Sequence, residues 1–144
     1  MEKINSLTGM TDLIETKADE NVLANKVFQT EKILKEIFTN YAMSEIRTPA
    51  LENTNLFKRS VGDTSDIVNK ELYTFSDKND KSITLRPEGT ASVMRSIIEK
   101  KLDGETHKLW YLGPMWRYER PQKGRYRQFN QAGLENNVYP RHLD

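Results

Sequence analysis

Lys108-Leu109-Trp110-Tyr111-Leu112-Gly113, then Met115-Trp116-Arg117-Tyr118-Glu119, then Tyr126-Arg127-Gln128-Phe129-Asn130-Gln131-Ala132-Gly133-Leu134-Glu135 are three strand-like runs in close succession. The polar loop from Arg120 to Arg125 closes the last two into a hairpin. Upstream, Leu72 to Phe75 and Ser82 to Arg86 alternate as strands around the turn Asp77-Lys78-Asn79-Asp80. Helical spacing lies elsewhere. From about Asp19 to Tyr41 the apolar residues Leu23, Val27, Ile33, Leu34, Ile37, Phe38 and Tyr41 fall three and four apart, with Asp19 or Asn21 as the N-cap. Asn53 to Val61 is a short helix broken by Gly62-Asp63, and Gly89 to Lys101 is another, turning Val93, Ile97 and Ile98 to the core. Ser44 to Glu52 reads as a strand, but Pro49 cannot donate to a ladder, which places it at an edge or interface. Ser6 to Lys17 is an irregular lead-in with Gly9 as its turn residue. Strands joined by hairpins, with helices grouped apart from them, make an α+β fold on a mostly antiparallel sheet.

The chain has 144 residues, enough for one domain with a modest core. It carries no cysteine, which excludes disulfides, thiolate metal sites and thiol nucleophiles. No apolar run is long enough to cross a bilayer, and Met1 to Asn5 lacks the apolar core of a secretory signal. A cytoplasmic location is the default expectation. The net charge of +1 exerts no global pull on nucleic acid. The distribution is more telling. Arg117, Arg120, Lys123, Arg125 and Arg127 are opposed locally only by Glu119 and interleave with Trp116, Tyr118, Tyr126 and Phe129. Such a run is a solvated face in most proteins. The mixture also suits an anion that carries an aromatic base.

Three segments carry chemistry. In Leu85-Arg86-Pro87-Glu88-Gly89-Thr90-Ala91, Pro87 drives Arg86 toward an extended conformation, giving strand, turn and helix start. Glu88 there can accept hydrogen bonds from a substrate ammonium, or can simply complement the helix dipole. In the hairpin, alternation puts Arg117 and Glu119 on one face, a guanidinium for phosphate beside a carboxylate for an exocyclic amine. Arg125 can reach a second phosphate bidentately, and Phe129 offers a flat surface to a purine. A basic surface hairpin with cross-strand charge pairs accounts for the same spacing. In Gln131-Ala132-Gly133-Leu134-Glu135, Gln131 and Glu135 share a strand face, as pocket lining or as solvent-facing residues.

Taken together these segments resemble the class II aminoacyl-tRNA synthetases, and within them the histidyl-tRNA synthetases, over roughly Ile4 to Glu135. Thr48-Pro49 after a helix and strand resembles the first motif of that class, whose proline lies at the dimer interface. Arg117-x-Glu119, a loop and Arg125-x-x-x-Phe129 resemble the second. Glu119-Arg120-Pro121-Gln122-Lys123-Gly124-Arg125-Tyr126-Arg127-Gln128-Phe129, with Leu85 to Thr90, is similar to the histidine enzymes and not to their cousins.

The resemblance implies ATP-dependent activation of histidine to histidyl-adenylate, then transfer to its tRNA, by a homodimer with no membrane partner. It assigns Arg117 to the α-phosphate as the catalytic residue, Glu119 to the adenine amine, Phe129 to stacking and Arg125 to the distal phosphates. Glu88, Gly89, Thr90, Arg117 and Gln131 would hold the amino acid, Glu135 would read its imidazole, and magnesium would bridge the phosphates with no protein metal site. His107 and His142 need no catalytic role. Two other readings differ in class. One is a synthetase-like regulatory subunit of histidine biosynthesis, which need not keep the ATP residues that are intact here. The other is an inactive or merely RNA-binding fragment, marked by steeply salt-dependent RNA binding alone.

Residues 1–135 correspond to the front of a catalytic domain, and 136–144 form a tail that departs from the family. Set against that family, the third motif, the downstream arginine–tyrosine segment and the anticodon-binding domain are expected to be missing from these residues, and Asn130 stands where a histidine is common. Central strands come later in that family. The isolated chain is therefore expected to expose sheet edges and apolar surface and to self-associate.

Overall fold

Two three-stranded sheets meet at one arginine. The computed structural model describes residues 3–16, 22–61, 71–120 and 122–137. Helix α1 (Val22–Asn40) leads into β1 (Ser44–Glu45), β2 (Leu51–Asn53), α2 (Thr54–Val61), β3 (Thr74–Ser76), β4 (Ser82–Leu85), α3 (Thr90–Glu99), β5 (His107–Trp116) and β6 (Gln128–Asn137). One sheet runs β1-β5-β6 and the other β2-β4-β3. All pairings are antiparallel except β1 with β5. The α+β, mostly antiparallel expectation holds.

The proline-bearing strand expected over Ser44 to Glu52 is in fact two. β1 joins β5 and β2 joins β4, with Ile46 to Ala50 crossing between the sheets. Pro49 lies in that crossing, where no ladder amide is missed. Arg86 fastens the junction. Its guanidinium donates to the Thr48 carbonyl at 2.7 Å, to Thr48 Oγ1 at 3.0 Å and to the Pro114 carbonyl at 3.1 Å. Its backbone amide donates to the Ala50 carbonyl, and its carbonyl accepts from Trp116. Burial pulls this guanidinium below its ordinary pKa, and Glu52 and Tyr111 act the other way.

Lys108 to Gly113 and Met115 to Glu119 are a single strand that runs through Pro114 and stops at Trp116. β1 covers β5 only at Leu109 and Trp110. At Pro114 the strand therefore has one ladder partner, β6, and on its other side the Arg86 guanidinium takes the Pro114 carbonyl, so no ladder amide is missed. β6 begins at Gln128, later than expected, and reaches Asn137. The core is Val93, Ile97, Tyr111 and Met115, flanked by Ile46, Leu102, Leu109 and Phe129.

Helix α1 departs most from its periodicity. Only Ala24 and Phe38 are buried, Phe38 packing on Trp110 with ring centroids 5.0 Å apart. Leu23, Ile33, Ile37 and Tyr41 are exposed, as is Ile98 on α3, whereas Val93 and Ile97 are buried as expected. Spacing identifies the apolar face of a helix, not whether the described residues cover it. The proposed caps Asp19 and Asn21, the break at Gly62-Asp63 and the tail beyond Asn137 lie outside the described residues.

Candidate active site

The hairpin root gathers its charged groups without a strand beneath them. Arg117 and Glu119 lie beyond the end of β5, so the alternation argument for their shared face does not apply. A tight local turn, with the Glu119 amide donating to the Arg117 carbonyl at 2.8 Å, brings them together instead. Glu119 stands 4.0 Å from Arg117 Nη1 and 3.8 Å from Arg125 Nε, a carboxylate between two cations. The Arg117 guanidinium sits 5.1 Å from the Phe129 ring centroid. Arg117, Glu119, Arg125 and Phe129 line one cleft of about 390 Å³, joined by Glu71, Gly124 and Tyr126. Arg125 is 62% exposed against 25% for Arg117, so one arginine is fixed and the other free to follow a ligand.

The second cluster forms where α3 meets β6. Pro87 is buried at the bend, and Glu88 turns back on the helix start, accepting the Thr90 amide at 2.6 Å and the Ala91 amide at 2.9 Å. The helix-end reading thus describes its geometry. A carboxylate has about four acceptor sites, so two amides leave room for an ammonium. Gln131 accepts the Gly89 amide at 3.0 Å, and Thr90 Oγ1 donates to Glu135 at 2.7 Å. Gln131 and Glu135 therefore do share a face, the one turned toward α3. Glu88 and Thr90 also border a broad groove of about 1170 Å³ between α2 and α3. Arg117 connects the two clusters, its Nε donating to the Pro87 carbonyl at 2.9 Å.

Sequence reasoning missed Tyr111. Its ring is buried in the seam, so close to Gly89 and Gly133 that a β-carbon on either would overlap it. Its phenol lies near the Thr90 hydroxyl. Burial pushes the phenol above its ordinary pKa; the neighbouring Thr90 hydroxyl opposes this, Glu135 and Glu88 reinforce it, and Arg86 opposes it more weakly. The available signal was a tyrosine on the core face of a strand whose neighbours are glycines.

Residues 20–137 match the family model described as histidyl-tRNA synthetase. A histidine–tRNA ligase of Geobacter sulfurreducens is 61% identical over 107 residues, 73% of this chain and 26% of that protein. The apo histidyl-tRNA synthetase of S. aureus superposes with a TM-score of 0.69 at 43% identity, over 92% of this chain and 28% of that one. A Bacillus halodurans protein described as an ATP phosphoribosyltransferase regulatory subunit/histidyl-tRNA synthetase shares the fold with a TM-score of 0.65 at 23% identity, over 94% of this chain and 33% of its own. The chain spans about a quarter of the length of the first two relatives.

Proposed function

This chain belongs to the histidyl-tRNA synthetase family, and from that premise we propose that it supplies the ATP and histidine contacts of a histidine–tRNA ligase. The observation that carries the reading is the single cleft that Arg117, Glu119, Arg125 and Phe129 line, one hydrogen bond away from the Glu88–Thr90–Glu135 seam.

The chemistry fits that arrangement. In the proposed first step a histidine carboxylate oxygen attacks the α-phosphorus of ATP, the bond to the bridging oxygen breaks, and pyrophosphate leaves with the electron pair. A carboxylate is already a competent nucleophile, so no protein base is required. What is required is alignment and charge stabilisation at phosphorus. Arg117 holds the α-phosphate and, through its tie to the Pro87 carbonyl, keeps nucleotide and amino acid in register. Arg125 takes the distal phosphates and Glu119 the adenine amine, with Phe129 beneath the base. Glu88, Gly89, Thr90 and Gln131 hold the ammonium, and Glu135 accepts from an imidazole N–H.

Magnesium would arrive on the nucleotide phosphates. Histidyl transfer to tRNA, a cytoplasmic site and a homodimer belong to the same proposal. So does the division into a catalytic-domain portion over 1–135 and a distinct tail from 136. The exposed Leu23, Ile33 and Ile37 support self-association. No helix among the described residues is long and apolar enough to cross a membrane.

Histidine-dependent exchange of labelled pyrophosphate into ATP by the purified chain tests the reading, beside calorimetric titration with L-histidine and with ATP–magnesium. The expected result is binding of histidine in preference to other amino acids, with any exchange reduced at least about tenfold in Arg117→Ala. A chain that binds neither ligand would overturn it.

A further inference from the structure

Gly9 turns the lead-in back on itself at a φ of +81°, and the Met10 amide donates to the Leu7 carbonyl at 3.0 Å. The Gly9 carbonyl then accepts two amides from the far strand of the hairpin, Arg127 at 2.7 Å and Gln128 at 3.2 Å. Glycine is fixed there twice over. A side chain would strain the left-handed backbone, and its β-carbon would stand 2.9 Å from Arg127 Cγ and 3.1 Å from the Arg127 amide nitrogen.

Arg127 is half-buried and lays its side chain against the protein. Its guanidinium lies 4.1 Å from the centroid of the Tyr118 ring, and its Nε donates to the Glu119 carbonyl at 3.1 Å. Its own carbonyl accepts the Arg117 amide at 2.9 Å. One residue therefore touches the backbone on either side of Tyr118, at the two positions that line the cleft. Tyr118 is held in turn by the Glu71 carbonyl, which accepts its amide at 2.7 Å, and by an edge-on contact with Tyr73 at 5.4 Å. Its Nε and the face of its guanidinium are thus committed to the protein.

We propose that Arg127 is a positioning residue for the nucleotide site, pinned by the Gly9 carbonyl, so that the turn at Leu7 to Met10 braces the hairpin root and presents Arg117 and Glu119 to ATP already aligned. The inference rests on the ATP reading of the cleft given above. It adds that the irregular lead-in, some hundred residues away in sequence, sets nucleotide affinity without touching nucleotide.

The test titrates the purified chain and its Gly9→Val, Arg127→Met and Arg127→Lys variants with ATP–magnesium and separately with L-histidine, and follows amide hydrogen exchange. Gly9→Val and Arg127→Met should weaken ATP binding about tenfold, the scale of a modest misalignment, and leave histidine within about twofold. Arg127→Lys should recover part of the loss, since an ammonium keeps a cation over Tyr118 and a donor for the Glu119 carbonyl. Amide exchange at Arg117 and Glu119 should quicken while that at Leu109 to Gly113 does not. Equal losses for both ligands, unchanged ATP affinity, or a lysine variant no better than methionine would overturn the proposal. If the unaltered chain binds no ATP the nucleotide reading falls, and unchanged exchange at Arg117 and Glu119 in the variants would then overturn the brace as well.

Discussion

The seam between α3 and β6 and the hairpin beyond β5 hold comparable numbers of charged groups in opposite ways. In the seam every polar contact is a normal hydrogen bond, from 2.6 Å at the Thr90 amide to 3.0 Å at Gln131, around a tyrosine that two glycines admit. In the hairpin the charges face each other at 3.8 and 4.0 Å, and Arg125 is mostly in solvent. The seam is wired before a ligand arrives. The hairpin root is braced and its arm is loose. An amino-acid pocket, which is what we propose for the seam, must reject close analogues, and that calls for polar groups already in place. A triphosphate is large, flexible and highly charged, and an exposed arginine can follow it at small cost.

The largest expected effect strikes the seam. In Gly133→Ala a methyl group would overlap the Tyr111 ring, and the ring has nowhere to move because Gly89 is pressed against it as well. Overpacking of this kind costs about 1–3 kcal/mol. That is a large share of the stability of a chain this size, so the urea midpoint should fall sharply or folding should fail. The matching glycine of the hairpin, Gly124, has φ +81° but open space around it. Gly124→Ala should meet backbone strain only and shift the midpoint less. Equal shifts would mean the seam is no more tightly built than the loop.

The hairpin was legible in the sequence because its signal is local. Arg117, Glu119, Arg125 and Phe129 fall within a short span, and closing the loop suffices to gather them. The α3 start was legible for the same reason, since Pro87 and Glu88 act on amides two and three residues away. Tyr111 was not legible. Its place depends on glycines far apart in sequence, at 89 and 133, which no window spans. Nor was the division of Ser44 to Glu52 between two sheets, because Arg86 decides it by reaching Thr48 across the fold. Periodicity also overstated α1, whose exposed Leu23, Ile33 and Ile37 show that a face can be apolar without described residues to cover it.

A smaller effect sharpens the account of the seam. The Tyr111 phenol is held above its ordinary value by burial, so the folded chain keeps this proton at a pH where the unfolded chain releases it. Where the unfolded state binds fewer protons, stability falls as pH rises. The contribution is complete below the unfolded value of about 10 and is lost as pH climbs from there through the folded one. Tyr111→Phe, which removes the titrating group, should show a flatter alkaline limb. Denaturant unfolding of both proteins across that range gives the difference curve, which cancels the other tyrosines and lysines. Parallel limbs would mean that the phenol is not confined in the seam.

The smallest expected effect belongs to Arg125, and it separates the loose arm from the braced root. Its nearest described charge is Glu119 at 3.8 Å, and most of its side chain is in solvent. Exposed pairs of this kind contribute about 0–1 kcal/mol, so Arg125→Ala should leave the urea midpoint nearly unchanged. ATP should bind about threefold to tenfold more weakly, with less dependence on salt, because one screened contact to the phosphates is gone. Arg125→Lys should recover most of that loss, since a mobile contact in water needs charge more than it needs a planar fork. At Arg117 the same exchange should recover little, because there the fork donates to the Pro87 carbonyl and lies over Phe129. If lysine serves equally well at both positions, the two arginines are held alike, and the distinction between root and arm fails.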